Sequence, residues 1–348
     1  MHREKIFIQG YGFSGASLIR DYLYEFSNIA HLGKNEFNIG RYSGGIYEIG
    51  SIIENAYDFV KDSVFRKFIR MIEFENNHLY PFLGSDFLKL SNEFKDKFVE
   101  FTIKSEELSF APNETILMPD KRTGIFPYKL RFINKFLNKY ILKQYNEMFL
   151  DEVRNRNFNK NILYVKNMEK NEYVKIAKEY LENILNLLPI DKKIVLVHPV
   201  NIIGVKSDDS AQYWDNYKVV IPEKDPRDIY TAMSNGKSPY LERYKNNPDY
   251  FIKDFKNSRK YHEHNKNLFG NNVIEIQCED FIYNYDRISQ KLNSFLDLKE
   301  ENHINKMKLF NPEISKNFVG SYKNYKNQEE IKKIEKELEK YCYFPKGQ

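Results

Sequence analysis

The stretch Ile6–Leu23, IFIQGYGFSGASLIRDYL, decides how the chain is read. Lys5 to Gly10 (KIFIQG) is an apolar run that predicts a buried strand. The glycine turn follows, and Ser14 to Phe26 then reads as a helix with Ser14 placed to cap it. A strand that opens through glycines into a helix N-terminus makes an anion site, because the first backbone N–H groups and the helix dipole face the turn. Glycine lets a phosphate approach the backbone closely, and Ser14 and Ser17 offer hydroxyl donors. Two ligands fit the pattern. Gly10-Tyr11-Gly12-Phe13-Ser14-Gly15 has the dinucleotide spacing G-x-G-x-x-G, whereas Gly…Ser-Gly-x-Ser suits a phosphate loop of another kind. Ala16 follows Gly15 where a Walker-type loop requires lysine, which argues against ATP or GTP use by that mechanism. The dinucleotide reading needs an acidic residue roughly 20 residues on, at the end of a second strand. Glu36 lies in that vicinity, but HLGKNEF is a poor strand candidate.

Bulk properties narrow the class. The 348 residues are 41% hydrophobic, 16% aromatic and 30% charged, enough for a substantial core. With a mean hydropathy of −0.65 and no apolar run near 18 residues, a membrane span is not expected. The N-terminus enters a predicted strand at once, without the pattern of a signal peptide. Cys278 and Cys342 form no metal-ligand spacing and imply no disulfide framework, so a reducing, cytoplasmic setting is expected. A net charge of +5 is too mild to argue for nucleic acid and is compatible with an anionic ligand.

Further along, the span from about Ser51 to Leu187 is mostly helical in pattern, so 33–188 reads as a helical insertion within a single domain, 1–348. After Pro189 the texture changes. KKIVLVHP (Lys192–Pro199), YKVVIPEKDPRD (Tyr217–Asp228) and NNVIEIQCEDF (Asn271–Phe281) read as strands alternating with helices. That alternation argues for an α/β fold with a parallel sheet. Ligands bind at the carboxyl ends of such strands. The residues to examine are therefore the Gly10–Ser17 loop, His198, and the turn Lys224–Asp228. Lys224 and Arg227 are cations at a strand end where a second anionic group docks, and Pro226 suits a first helical turn.

Four segments, in order, resemble the PAPS-dependent sulfotransferase family. GYGFSGASL is similar to its 5′-phosphosulfate loop, and WDNYKVVIPEKDPRDIYTAMS to its strand and helix at the 3′-phosphate. VIEIQCEDFIYNYDRISQKLNSFLDL is similar to its strand, Glu-Asp and helix. KNFVGSYKNY (Lys316–Tyr325) is similar to its glycine-containing loop over the nucleotide. The resemblance covers about 30 N-terminal residues and most of the chain after Lys192. It implies an α/β fold with a P-loop-like central parallel sheet flanked by helices, plus the large helical insertion. It also implies PAPS as sulfuryl donor and a hydroxyl-bearing acceptor. Gly12, Phe13, Ser14, Gly15, Ala16 and Ser17 would then form the phosphosulfate loop. Lys224, Arg227, Thr231 and Ser234 would lie near the 3′-phosphate, with Lys316 and Lys323 as late contacts. A saccharide acceptor is expected from the size of the helical block alone.

Two departures stand out. The family carries Lys or Arg immediately before Ser-Gly, and this chain has Phe13. The family's 3′-phosphate serine aligns with Ala232. Arg20, Arg41, Lys121, Arg122 and Lys166 are conceivable substitute cations. His198 ends the strand KIVLVH, in a context similar to the family's catalytic histidine, and imidazole suits proton transfer near neutrality. His262 and His264, two apart on a predicted helix, face different ways, and no metal site is expected. The basic helix KLRFINKFLNKYILKQY reads as packed with a solvated basic face, and NQEEIKKIEKELEKY as a solvated helix. Two other readings remain from the sequence: a nicotinamide- or flavin-dependent oxidoreductase, and a non-catalytic nucleotide-binding protein on a sulfotransferase scaffold. The oligomeric state is left open.

Overall fold

The structure is a computed structural model that describes residues 3–104, 161–189, 191–200 and 206–345. Its centre is a five-stranded, wholly parallel sheet built from β1 (Lys5–Ile8), β2 (Ile29–His31), β5 (Lys193–Val197), β6 (Tyr217–Glu223) and β7 (Val273–Gln277). The spatial order is β2-β5-β1-β6-β7. β1 is therefore the central strand. It pairs Ile6 with Val195 on one side and with Lys218 on the other. β2 is a strand that HLGKNEF did not suggest, because its three residues end at His31, before that stretch turns polar.

Period-two alternation sends β1 side chains into two cores. Phe7 packs with Phe37, Ile39, Trp214 and the helices α2 (Ile46–Ile52), α3 (Asp58–Leu83), α4 (Asp86–Asp96) and α5 (Lys170–Leu185). Ile6 and Ile8 pack on the opposite face against α1 (Ala16–Leu23), through Ile19, Tyr22 and Leu23. Two strands, β3 (Val99–Lys104) and β4 (Asn161–Val165), pair antiparallel within the span read as mostly helical. KLRFINKFLNKYILKQY, Lys121 and Arg122 lie outside the described residues.

Beyond β6 come α6 (Pro226–Ser234), α7 (Pro248–Arg259) and α8 (His262–Phe269). β7 leads into α9 (Cys278–Tyr283) and α10 (Tyr285–Leu296), and α11 (Gln328–Leu338) closes the chain. The run read as a solvated helix is α11, and it is a packed one. Ile331, Ile334 and Leu338 recur at i, i+3 and i+7, and that stripe fills a third core with Tyr230, Phe251 and Phe255. The charge pattern described only its outer face.

Glu25, fully buried just after α1, organises the segment that follows α10. It pairs with His303 Nε2 (2.7 Å) and accepts from the amides of Met307 (3.1 Å), Leu309 (2.8 Å) and Phe310 (2.9 Å). Removing the carboxylate leaves all four groups without this partner, two of them, His303 and the Phe310 amide, buried. Glu25→Ala is expected to lower stability by about 3–5 kcal/mol. The loss should appear as a lower urea midpoint with an unchanged slope.

Candidate functional site

Three neighbouring strands, β5, β1 and β6, deliver their carboxyl ends side by side. β1 runs into the loop Gln9–Gly15, β5 into His198, and β6 into Lys224–Asp228. The backbone amide of His198 donates to Ile8 (2.9 Å) and that of Gln9 to Val220 (3.0 Å), so the three ends are stitched together. Two non-glycine residues adopt left-handed backbone here, Phe13 at φ 66° and His198 at φ 53°. Such conformations cost energy and concentrate at functional sites. Buried polar atoms also collect here. Gln9 Nε2, Ser14 Oγ and His198 Nδ1 have no hydrogen-bond partner among the described residues.

The loop is held from several directions. Ser14 N donates to Tyr11 O at 3.0 Å, and the Tyr11 hydroxyl donates to Asp254 on α7. Cys278 Sγ, at the head of α9, donates to Ser14 O at 3.3 Å. Gly15 has φ +100°, and a Cβ there would lie 2.4 Å from Cys278 Sγ, so this position admits only glycine. The helix starts one residue later than expected. Gly15 is its cap and makes no side-chain cap bond, so Ser14 Oγ is not used as a cap. The amides of Gly15, Ala16 and Ser17 carry no hydrogen bond among the described residues and sit at the positive end of α1. Ser17 and Gly12 are exposed, and Phe13 is 50% exposed.

On the β5 side, the segment 36–42 lies against His198. Phe37 N donates to Val197 O at 2.9 Å, one residue before His198, and the Tyr47 hydroxyl donates to Pro199 O, one residue after. Arg41 Nε donates to Asn38 Oδ1 at 2.7 Å, and its Nη2 pairs with Glu36. Burial, helped by the Arg41 charge, holds the His198 imidazole down to about 4. It is therefore neutral at physiological pH. Behind Asn38, Glu75 is buried on α3. Burial pushes its carboxyl up to about 7, against the opposing effects of the Asn38 hydrogen bond and Arg41.

The β6 turn is a clamp. Arg227 is 2% exposed, and its guanidinium is taken up by Asp225 (2.6 Å), Glu335 (2.6 Å) and the Tyr343 carbonyl (3.1 Å). The Tyr322 ring stacks over it at 4.1 Å. Thr231 Oγ1 donates back to Arg227 O at 2.9 Å, and Ser234 Oγ bonds Tyr325 OH at 2.7 Å. These three predicted contacts thus already have partners within the protein. Lys224 is only partly buried and has no side-chain partner among the described residues, and its charge acts on the Cys278 thiol. Lys316 pairs with Glu313 at 2.6 Å, while Lys323 is exposed with its side chain unpaired among the described residues. Asp228, singled out with its turn in the sequence but given no role there, fixes the C-terminal loop. It accepts from Gly320 N (2.8 Å), Ser321 Oγ (2.8 Å) and Tyr322 N (3.0 Å).

Of the conceivable substitute cations that are described, Arg20 forks onto Asp21 and Lys166 follows β4, whereas the charge of Arg41 acts on His198. His262 and His264 do face apart. His262 Nε2 bonds Glu275 and His264 Nε2 bonds Asp208, each at 2.6 Å. Glu223, His262 and Glu275 bring ligand atoms within 4.8 Å of one another. Arg259 and Lys266 already occupy those two carboxylates.

No family model and no curated protein matches the chain. Among solved structures it is similar to the sulfotransferase domain from the Synechococcus PCC 7002 olefin synthase. That match has 10% identity and a TM-score of 0.44, and covers 99% of this chain and 96% of the other. It is similar to the sulfotransferase domain from the curacin biosynthetic pathway, with 12% identity and a TM-score of 0.41, covering 99% of both. A third similar structure is retinol dehydratase in complex with androsterone and inactive cofactor PAP, with 12% identity and a TM-score of 0.35, covering 99% of this chain and 82% of the other.

Glu75 has a pH signature. Its carboxyl is raised on folding, so the folded chain binds this proton more tightly than the unfolded chain. The stability it contributes is complete below the ordinary glutamate range and is lost as pH rises through about 7. Glu75→Gln should match wild type near the low end of that window. At pH values above it, the variant should be the more stable by on the order of 2 kcal/mol. Thermal melts across this range check both the size and the sign.

Proposed function

We propose that this chain transfers a sulfuryl group from PAPS to an acceptor hydroxyl. The observation that carries the reading is the convergence at the ends of β5 and β1. Free amides of Gly15–Ser17, the orphaned Ser14 Oγ and the neutral, strained His198 meet there. When bound, PAPS supplies the activated sulfuryl group. The donor set fits its phosphosulfate end: helix-terminal amides and the Ser14 and Ser17 hydroxyls suit a phosphorylated, sulfated anion. At the 3′ end the fit rests on Lys224 and Lys323, because Arg227, Thr231 and Ser234 are engaged elsewhere.

In this reading His198 takes the acceptor's proton. Its low basicity in the free protein suits that role only if binding changes it. An anion held at the adjacent loop opposes the Arg41 charge and raises the imidazole pKa back toward its ordinary value, so the base strengthens as the donor arrives. The helix amides stabilise the charge that builds on the departing phosphate. The acceptor is a hydroxyl compound. A saccharide has no support among the described residues.

The dinucleotide alternative is weakened by topology. It needs the acidic residue of a strand next to β1, whereas β5 separates β2 from β1 and Glu36 is paired with Arg41.

Calorimetric binding of adenosine 3′,5′-bisphosphate, with NADH as control, tests the reading. Wild type should bind the bisphosphate and not NADH. Ser17→Ala/Lys224→Ala should weaken binding by roughly 10–100-fold or more, from two lost contacts of which one is charge-assisted. Binding of NADH alone would sink the proposal.

A further inference from the structure

The segment that Glu25 pins carries an apolar surface with no partner. Five of the seventeen exposed large apolar side chains among the described residues fall in one short span: Ile304, Met307, Leu309, Ile314 and Phe318. Single exposed apolar residues are ordinary, but a cluster of them marks a contact surface. These five are not core residues that failed to pack. The same span sends His303, Phe310 and Pro312 inward, and Phe310 joins the second core. Glu25 takes the amides of Met307 and Leu309, so the backbone is held there while both side chains stay outside. Pro312–Ser315 is a turn of α-helix that runs into the 3₁₀ turn Lys316–Phe318. Ile314 and Phe318, four apart on this stretch, are 61% and 65% exposed. Pro312–Ser315 packs on α9. Tyr283 of α9, half exposed, lines one surface cavity with Met307, Glu313 and Lys316, so the span and α9 share a face.

The charges along this span are nearly all of one sign. From Ile304 to Lys326 stand five lysines, Lys306, Lys308, Lys316, Lys323 and Lys326, and one acid, Glu313. Lys308 bonds only Asn305, and Lys326 is exposed without a carboxylate partner among the described residues. We propose that this face, Ile304–Phe318 with Tyr283, docks on an anionic lipid surface. Its apolar tips enter the headgroup boundary, and the lysine stems lie beside them with their ammonium groups on lipid phosphates. The tips are separate and spaced by lysines, which suits a fluid surface that needs no matching shape. A second copy of the chain fits worse, because a two-fold contact would set lysines against lysines. The contact is peripheral, since no helix among the described residues is long and apolar enough to cross a membrane. The face borders the candidate site: the span continues into Gly320–Tyr322, which Asp228 holds at the turn after β6. The inference goes beyond the sulfuryl-transfer reading and does not rest on it.

Cosedimentation of the full chain with vesicles tests the surface. Wild type should bind vesicles of phosphatidylcholine mixed with phosphatidylglycerol, bind pure phosphatidylcholine far less, and release as salt rises. Ile314→Ser/Phe318→Ser should lower partitioning onto the mixed vesicles by roughly tenfold or more, because two apolar groups no longer leave water. Lys308→Glu/Lys326→Glu should lower it by roughly tenfold as well and flatten the salt dependence. Tyr57→Ser/Tyr80→Ser, which removes exposed aromatics at α3, should bind as wild type does. Thermal melts on the same samples show that each variant is folded, and where the Ile314/Phe318 pair is not, Phe318→Ser alone is read in its place. Absence of binding to the mixed vesicles overturns the proposal, and so does binding that survives the change at Ile314 and Phe318. Self-association of wild type without lipid, abolished by that same change, overturns it in favour of a second copy. Bisphosphate binding on the same samples keeps the two readings apart. If it fails while vesicles bind, the sulfuryl-transfer reading falls and the lipid surface stands; the reverse result removes the lipid surface alone.

Discussion

Asp225 ties together three parts of the chain that are far apart in sequence. It accepts from Arg227 through the backbone amide and the guanidinium, and from the Tyr343 amide at 3.0 Å. Its own amide donates to Glu279 at 2.9 Å, just past β7. One buried residue, through its carboxylate and its backbone amide, therefore joins the end of β6, the end of β7 and the C-terminal segment. A buried, hydrogen-bonded ion pair of this kind is a weak source of net stability but a strong constraint on geometry, because breaking it strands charge in the interior. Arg227, which resembles a ligand contact by position, spends its donors on this junction. Asp228 then sets the C-terminal loop over the same strand ends.

Against this fixed side of the sheet, the other side stores strain. Phe13 and His198 are neither glycine nor asparagine, yet both hold left-handed backbone at the ends of adjacent strands. The loop is pressed so closely against α9 that Gly15 cannot carry a Cβ. Polar atoms without partners lie between these points. The site is a place where local preferences are overruled by packing, and that is common where a protein keeps groups ready for a ligand.

Much of the sheet was legible in the residues. Short apolar runs followed by polar turns marked β1, β5 and β6, whose residues are buried on both faces, and β7 carried the alternation of a strand with one buried face. β2 escaped because three residues give no period. The phosphate-type loop was legible because glycine turns and helix starts follow local rules. The engagement of Arg227, Thr231 and Ser234 was not, since their partners lie about four to over a hundred residues away. Glu75 did leave a signal: it stands on the apolar stripe of α3 with Phe68, Ile72 and Leu79, where a carboxylate is out of place. Asp225 left one too, as an acidic residue directly before a proline at a helix start.

The sheet order has a consequence for synthesis. β1 is made long before its neighbours in the sheet, which begin only at Lys193 and Tyr217. At roughly 5–20 residues per second, the nascent apolar strand waits about 10–40 s before either edge finds its mate. Until then the phosphate-type loop has nothing to press against, and the chain emerges with its most hydrophobic early segment unpaired. A fold whose central strand is translated long before either of its partners depends on slow, long-range closure. It is during that interval that the chain is most exposed to aggregation and most in need of chaperone shelter.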